Sequence, residues 1–216
     1  GQPDRPVASV IAQTQVILLI DALGWELAES SGFLADRLPY RRRLRSILGY
    51  SASAIPSLLT GQPPVGHGRW FLFYRARRQS DSPFKGAGLV SRLPGRLRDR
   101  WMLRKKLSEW WKRSGSIDGY FGLYDVPYRE LKDLDYVERR DSWKPLTFPC
   151  GSYVDDLAAR PEAAFVSDWR MNDDEKFRLA IQSASESKLR FFLLYLTEID
   201  ARQHAHGSRG EPVSER

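Results

Sequence analysis

The chain has 216 residues, 42% of them hydrophobic and 12% aromatic, with 34 basic and 27 acidic residues for a formal net charge of +7. That is enough apolar surface for one substantial core, and it excludes an intrinsically disordered chain. A single cysteine, Cys150, excludes an intrachain disulfide. No stretch reaches the roughly 18 apolar residues of a membrane span, and the basic-then-apolar pattern of a signal peptide is missing from the first residues. Together with the lone cysteine this predicts a cytoplasmic location.

In chain order, the first ten or so residues read as a loose lead-in. Val16 to Ile20 is a continuous apolar run, the pattern of a parallel strand covered on both faces, and Asp21 follows it directly. Trp25 to Leu38 has helical spacing and ends at Pro39. Leu44 to Tyr50 reads as a strand. Ser51 to Gly61 reads as a short helix; Pro56 is tolerated only in a first turn, so the start is expected near Ala52 to Ala54, with Gly61 at the C-terminal end. Gln62 to Gly68 is a loop.

Trp70 to Tyr74 and Tyr120 to Tyr124 read as strands, and Leu97 to Arg113 as a basic amphipathic helix. Val154 to Ala159 is a short helix and Ala163 to Val166 a short strand. Asp173 to Ser185 is a helix opened by Asn172 as N-cap. Leu189 to Ile199 is the strongest strand. Strands alternating with helices predict an α/β fold, a largely parallel sheet flanked by helices. Residues 69–150 fit that sheet poorly and read as an inserted basic and aromatic cap. The expected organisation is 1–68 as the first part of the core, 69–150 as the cap, and 151–216 as the return to the core.

Several residues could carry chemistry. Asp21 follows a strand and so stands at the carboxyl edge of the sheet, where open α/β folds place ligands; capping of the next helix explains it equally well. Ser51 and Ser53 lie at a strand-to-helix turn, where free N–H groups and the helix dipole favour an anion. One could be a nucleophile and the other an ordinary cap. Asp200 and His204, four residues apart past the last strand, are normal ligand types for Zn²⁺ or Mn²⁺. Glu198 alternates with Asp200 along the strand and could share its face. His206 is a weaker candidate, and His67 is a structural or substrate-facing histidine. Basic runs at Arg41 to Arg43, Arg75 to Arg78 and Arg96 to Lys106 favour an anionic partner: a phosphate ester, nucleic acid or an acidic membrane surface.

Strand-Asp21, Ser51 ahead of Thr60-Gly61, Gly66-His67-Gly68 and Asp200-x-x-x-His204-x-x-Gly207 follow one another in the order used by the alkaline phosphatase superfamily. The chain most resembles its type I phosphodiesterase/nucleotide pyrophosphatase branch. In that family the nucleophile lies nine residues before the Thr of a Thr-Gly pair, which singles out Ser51. The Asp-x-x-Gly-His-x-x-Gly motif is matched by Asp200 to Gly207, except that Gln203 replaces the inner glycine.

The resemblance implies an alkaline-phosphatase-like core and a metal-dependent hydrolase of phosphate mono- or diesters. Ser51 would be the nucleophile. Two divalent metal ions, Zn²⁺ or Mn²⁺, would bind at the site, Asp21 and Ser51 belonging to one and Asp200 and His204 to the other. His67 and Ser53 would face the substrate. The family's later Asp-His-Gly motif and a further histidine do not occur, so the resemblance covers the front part of a family member. About half of each metal's ligands is present, and weak or absent activity is expected of this chain by itself. A sulfatase or phosphotransferase on the same scaffold is the near variant. Two rivals come from outside catalysis: an anion- or nucleic-acid-binding module built on the basic runs and Trp101, Trp110 and Trp111, although no specific nucleic-acid motif appears, and a degenerate member kept as a scaffold.

Overall fold

The computed structural model describes residues 14–48, 50–98, 100–162, 164–186 and 189–207; the expected lead-in lies outside them. In chain order the elements are β1 (Gln15–Ile20), α1 (Trp25–Ser30), α2 (Ser51–Thr60), α3 (Pro64–His67), β2 (Phe73–Arg75), α4 (Ala87–Val90), α5 (Gly95–Arg98), α6 (Trp101–Ser114), α7 (Tyr128–Leu131), β3 (Leu134–Tyr136), α8 (Tyr153–Ala158), β4 (Ala164–Val166), α9 (Asp173–Glu186), β5 (Phe191–Leu196) and α10 (Glu198–His206). The chain divides into two compact units, one of residues 1–44 and 156–216 and the other of residues 45–155. The boundary differs from the expected 68/69 and 150/151, and α2 with Ser51 folds with the middle segment.

The first unit is mixed α/β: a parallel three-stranded sheet in the order β1-β5-β4, flanked by helices. β5 is central, and Phe192 to Leu196 are buried. Phe192 and Leu194 pack with Ala180 of α9, Phe165 and Leu189. β1 pairs with β5 from Gln15↔Phe191 to Ile20↔Leu196. It is an edge strand, not the covered strand its apolar run suggested: Val16 is 59% exposed, and Ile17 and Leu18 are exposed too. An apolar run identifies a strand but does not say what will lie over it.

Helix α1 is shorter than its periodicity promised. The Ser31 hydroxyl donates to the Leu27 carbonyl at 2.7 Å, and Gly32 follows at φ 63°. The hydroxyl competes for a helical carbonyl and the glycine takes the left-handed turn, so the helix stops before Pro39. Helix α9 begins as read: the Asn172 side chain accepts the Glu175 N–H at 2.8 Å. β5 ends at Leu196, and Thr197 is the N-cap of α10. Asp200 and His204 therefore lie on a helix past the strand, and Glu198 opens that helix instead of alternating in a strand.

The second unit is built on aromatic packing. Phe84, Trp111, Tyr128, Leu131 and Tyr136 are at most 4% exposed. Trp111 and Tyr136 stand edge-on to Phe84 at ring separations of 5.7 and 6.4 Å, an arrangement that suits aromatic quadrupoles. The Trp111 indole N–H donates to the Lys85 carbonyl at 2.7 Å, so its burial leaves no orphan donor. β2 and β3 form an antiparallel pair, Phe73↔Tyr136 to Arg75↔Leu134.

The expected strands at 44–50 and 120–124 are not strands among the described residues. Leu44 and Leu48 stay exposed, so burial never draws that segment into a sheet. Tyr124 sits at φ 45°, incompatible with extended backbone. Helix α2 starts at Ser51, earlier than expected, and encloses Pro56. Gly61 caps it in the left-handed conformation at φ 66°, as its position suggested.

Candidate functional site at the carboxyl edge of the sheet

Asp21 directly follows β1, and its N–H donates to the Leu196 carbonyl at 2.9 Å, extending the β1–β5 ladder by one residue. The Tyr195 hydroxyl, on the buried strand β5, donates to Asp21 Oδ2 at 2.5 Å. Burial, and then the charge of Asp21, push the Tyr195 hydroxyl far above its usual pKa, so it remains a donor at any working pH.

Ala22, the next residue, has φ 61°. Left-handed backbone costs a non-glycine residue of order 1 kcal/mol or more, and such strain persists only where neighbours enforce it. The Ala22 carbonyl accepts the Gln203 side-chain N–H of α10 at 2.9 Å and the Gly24 N–H at 2.9 Å. Gln203 is also the residue that departs from the glycine of the matched motif.

Asp200 lies in the first turn of α10 and is partly exposed. Burial, and then the Asp21 charge, raise its carboxyl above the usual carboxylate range, while His204 acts in the opposite direction. His204 Nε2 is 3.5 Å from Asp200 Oδ1, with the imidazole 80% exposed. The structure thus brings Asp21, Asp200 and His204 to one edge of the sheet, with Asp21 close enough for its charge to add to the effect of burial on Asp200.

Helix α10 is held there by α9. The Asp173 carboxylate accepts the Thr197 and Glu198 N–H groups at about 3.0 Å, capping α10 from outside. Glu198 reciprocates, accepting the Asp173 N–H at 3.3 Å. Lys176, fully buried, bonds Asp173 at 2.9 Å and lies 5.9 Å from the Tyr195 ring centre. Sequence reasoning missed Asp173, Lys176, Tyr195 and Gln203. One signal was readable: Lys176 stands four residues before Ala180, on the buried stripe of α9.

Ser51, Ser53 and His67 belong to the second unit. Ser51 is the first residue of α2 and half-buried; the N-cap is Tyr50, which contributes no side-chain bond. Ser53 is fully buried, and its hydroxyl bonds the Leu48 carbonyl at 2.9 Å and the Tyr50 carbonyl at 3.3 Å. That hydroxyl ties down the approach to α2; it neither caps the helix nor faces a substrate.

His67 is also buried. Its Nδ1 accepts the Arg69 N–H at 3.1 Å and its Nε2 is 2.8 Å from Ser57 Oγ. An imidazole accepting at Nδ1 carries its proton on Nε2, so His67 donates to Ser57 and is no base for it. Burial, and then the Arg69 charge, push His67 below its usual pKa. Arg69 itself is buried, bonding Glu138 at 2.7 Å, Ser142 at 3.0 Å and the Arg140 carbonyl at 3.0 Å, with its guanidinium 4.8 Å from the centre of the Phe148 ring. Gly119 is required beside this network: a Cβ there would lie 2.2 Å from Glu138 Oε2.

Among the described residues no three His, Cys, Asp or Glu side chains gather into a cluster that could hold a metal ion. The side chains at the sheet edge are of the types that bind Zn²⁺ or Mn²⁺: two carboxylates, and an imidazole next to one of them. No family model matches the chain, and no curated protein or solved structure gives a significant match.

Proposed function

We propose that the protein is a metal-dependent hydrolase of phosphate mono- or diesters, with Asp21, Asp200 and His204 as metal-holding residues and Ser51 as the nucleophile. The observation that carries the reading is the carboxylate pair at the carboxyl edge of the parallel sheet, where burial and then the Asp21 charge raise the Asp200 pKa. A bound cation would offset that charge, and carboxyls perturbed in this way concentrate at binding sites. The assignment of Ser51 rests on its spacing to Thr60-Gly61 and on its place at the start of a ten-residue helix, whose dipole favours the alkoxide and the phosphate it attacks.

A bound divalent ion would polarise the phosphoryl oxygens and favour the ionised nucleophile. Tyr195 keeps Asp21 in one orientation, and Gln203 keeps α10 against the Asp21–Ala22 turn. The Ser51 oxygen would bond to phosphorus as the ester oxygen leaves with a proton, and water would release phosphate from the serine. The test is hydrolysis of p-nitrophenyl phosphate and its bis ester with added Zn²⁺ or Mn²⁺. Turnover that needs the metal and is lost in Ser51→Ala supports the reading; turnover unaffected by chelation, or undiminished in Ser51→Ala, overturns it.

A further inference from the structure

A second feature, unrelated to the carboxylate pair, lies on the other unit. Between positions 92 and 113 there are nine basic and two acidic residues, a surplus equal to the formal charge of the whole chain; the remaining 25 basic and 25 acidic residues cancel. The net positive charge of this protein is therefore matched by one segment.

The same segment exposes apolar side chains. Leu93 is 40% exposed, Leu97 47%, Trp101 72% and Met102 56%, and Leu89 just before them is 68% exposed. They run along α4, α5 and the start of α6, and the Arg100 N–H donates to the Leu97 carbonyl across the turn that joins the last two helices. The inner side of α6 is anchored, since Trp111 is fully buried and Leu107 packs against the same core. Trp101 and Met102 thus remain outside on a helix whose other side is fixed, with exposed Arg96, Arg100 and Lys105 around them.

We infer that residues 89–98 and 100–106 form a docking surface for an anionic lipid membrane, lying in the headgroup region without crossing it. Among the described residues no helix is long and apolar enough to span a bilayer. Interfacial segments combine Leu and Trp, which enter the acyl boundary, with Lys and Arg, which face acidic headgroups. Nucleic acid fits the charge but not the apolar residues: Leu89, Leu93, Leu97 and Met102 offer no planar face for a base to stack on. A second copy of the chain would bring two basic surfaces together and be repelled.

The experiment uses the 216-residue protein with vesicles of phosphatidylcholine alone or containing about 30% phosphatidylserine. The protein should sediment with the anionic vesicles, shift its tryptophan emission to the blue, and ignore the neutral ones. Trp101→Ala should weaken partitioning about tenfold. Arg100→Glu with Lys105→Glu should weaken it at least 25-fold, about fivefold for each charge. These side chains are exposed, so the variants should melt with the parent protein in circular dichroism. Absence of binding to anionic vesicles at low salt overturns the inference. So does partitioning indifferent to Trp101→Ala, and so does displacement from vesicles by a single-stranded oligonucleotide that binds more tightly. None of these outcomes depends on the metal site or on Ser51.

Discussion

Each unit buries a cation against a carboxylate, and the two arrangements differ in what they leave over. In the unit of residues 45–155, Arg69 takes up Glu138, Ser142 and a backbone carbonyl, and both nitrogens of His67 are engaged. This is a closed polar network under an aromatic core. In the unit that carries the sheet, Lys176 and Asp173 use their bonds to fix the start of α10. That clamp holds the helix that carries Asp200, whose carboxyl is raised by burial and then by the charge of Asp21, the neighbour of the strained Ala22. Buried charge in one unit is consumed by structure; in the other it fixes the start of the helix that carries Asp200, a carboxyl left only partly buried at the sheet edge.

The contrast can be broken most severely at Arg69. Arg69→Met strands a buried Glu138 and should cost about 3–5 kcal/mol, read as a lowered denaturant midpoint. Lys176→Met should cost less, about 1–3 kcal/mol, because Asp173 keeps two backbone N–H donors from α10. Equal losses in the two variants would show that the backbone caps do not compensate Asp173.

Gln203→Gly removes the tether on Ala22 and places glycine inside α10. It should destabilise the protein by about 1–2 kcal/mol by urea titration. Tyr195→Phe frees Asp21 Oδ2; calorimetric titration with Zn²⁺ should show affinity reduced about tenfold, as for other groups that orient a ligand.

The smallest effect concerns pH. Burial lowers the folded-state pKa of His67 below the 6.5 of an unperturbed histidine, so the unfolded chain binds more protons between the two values. Stability should be full above pH 6.5 and fall as pH drops through that window. In His67→Gln that part of the slope should vanish, while one unchanged from the parent would locate the titration elsewhere.

Much of this was legible from residue order alone. Periodicity and capping identified β1, β5, α9 and the edge position of Asp21, because local pattern specifies which backbone conformation a segment prefers. The four-residue spacing of Asp200 and His204 was equally plain, though the helix that carries them was not: β5 stops at Leu196 because Asp173, over twenty residues earlier, caps Thr197 and Glu198. A partner so distant in sequence leaves no periodic trace.

Sequence by itself determined the α/β alternation, the charge concentrated between positions 92 and 113, and the candidate carboxylates at strand ends. Only the tertiary structure decided that β1 is an exposed edge, that His67 and Ser53 are held as internal supports, and that Tyr195 and Gln203 orient the Asp21–Ala22 turn. The physical reason is the same in each case. Local pattern states what a residue can do, while burial and long-range hydrogen bonds select which of its groups are already occupied.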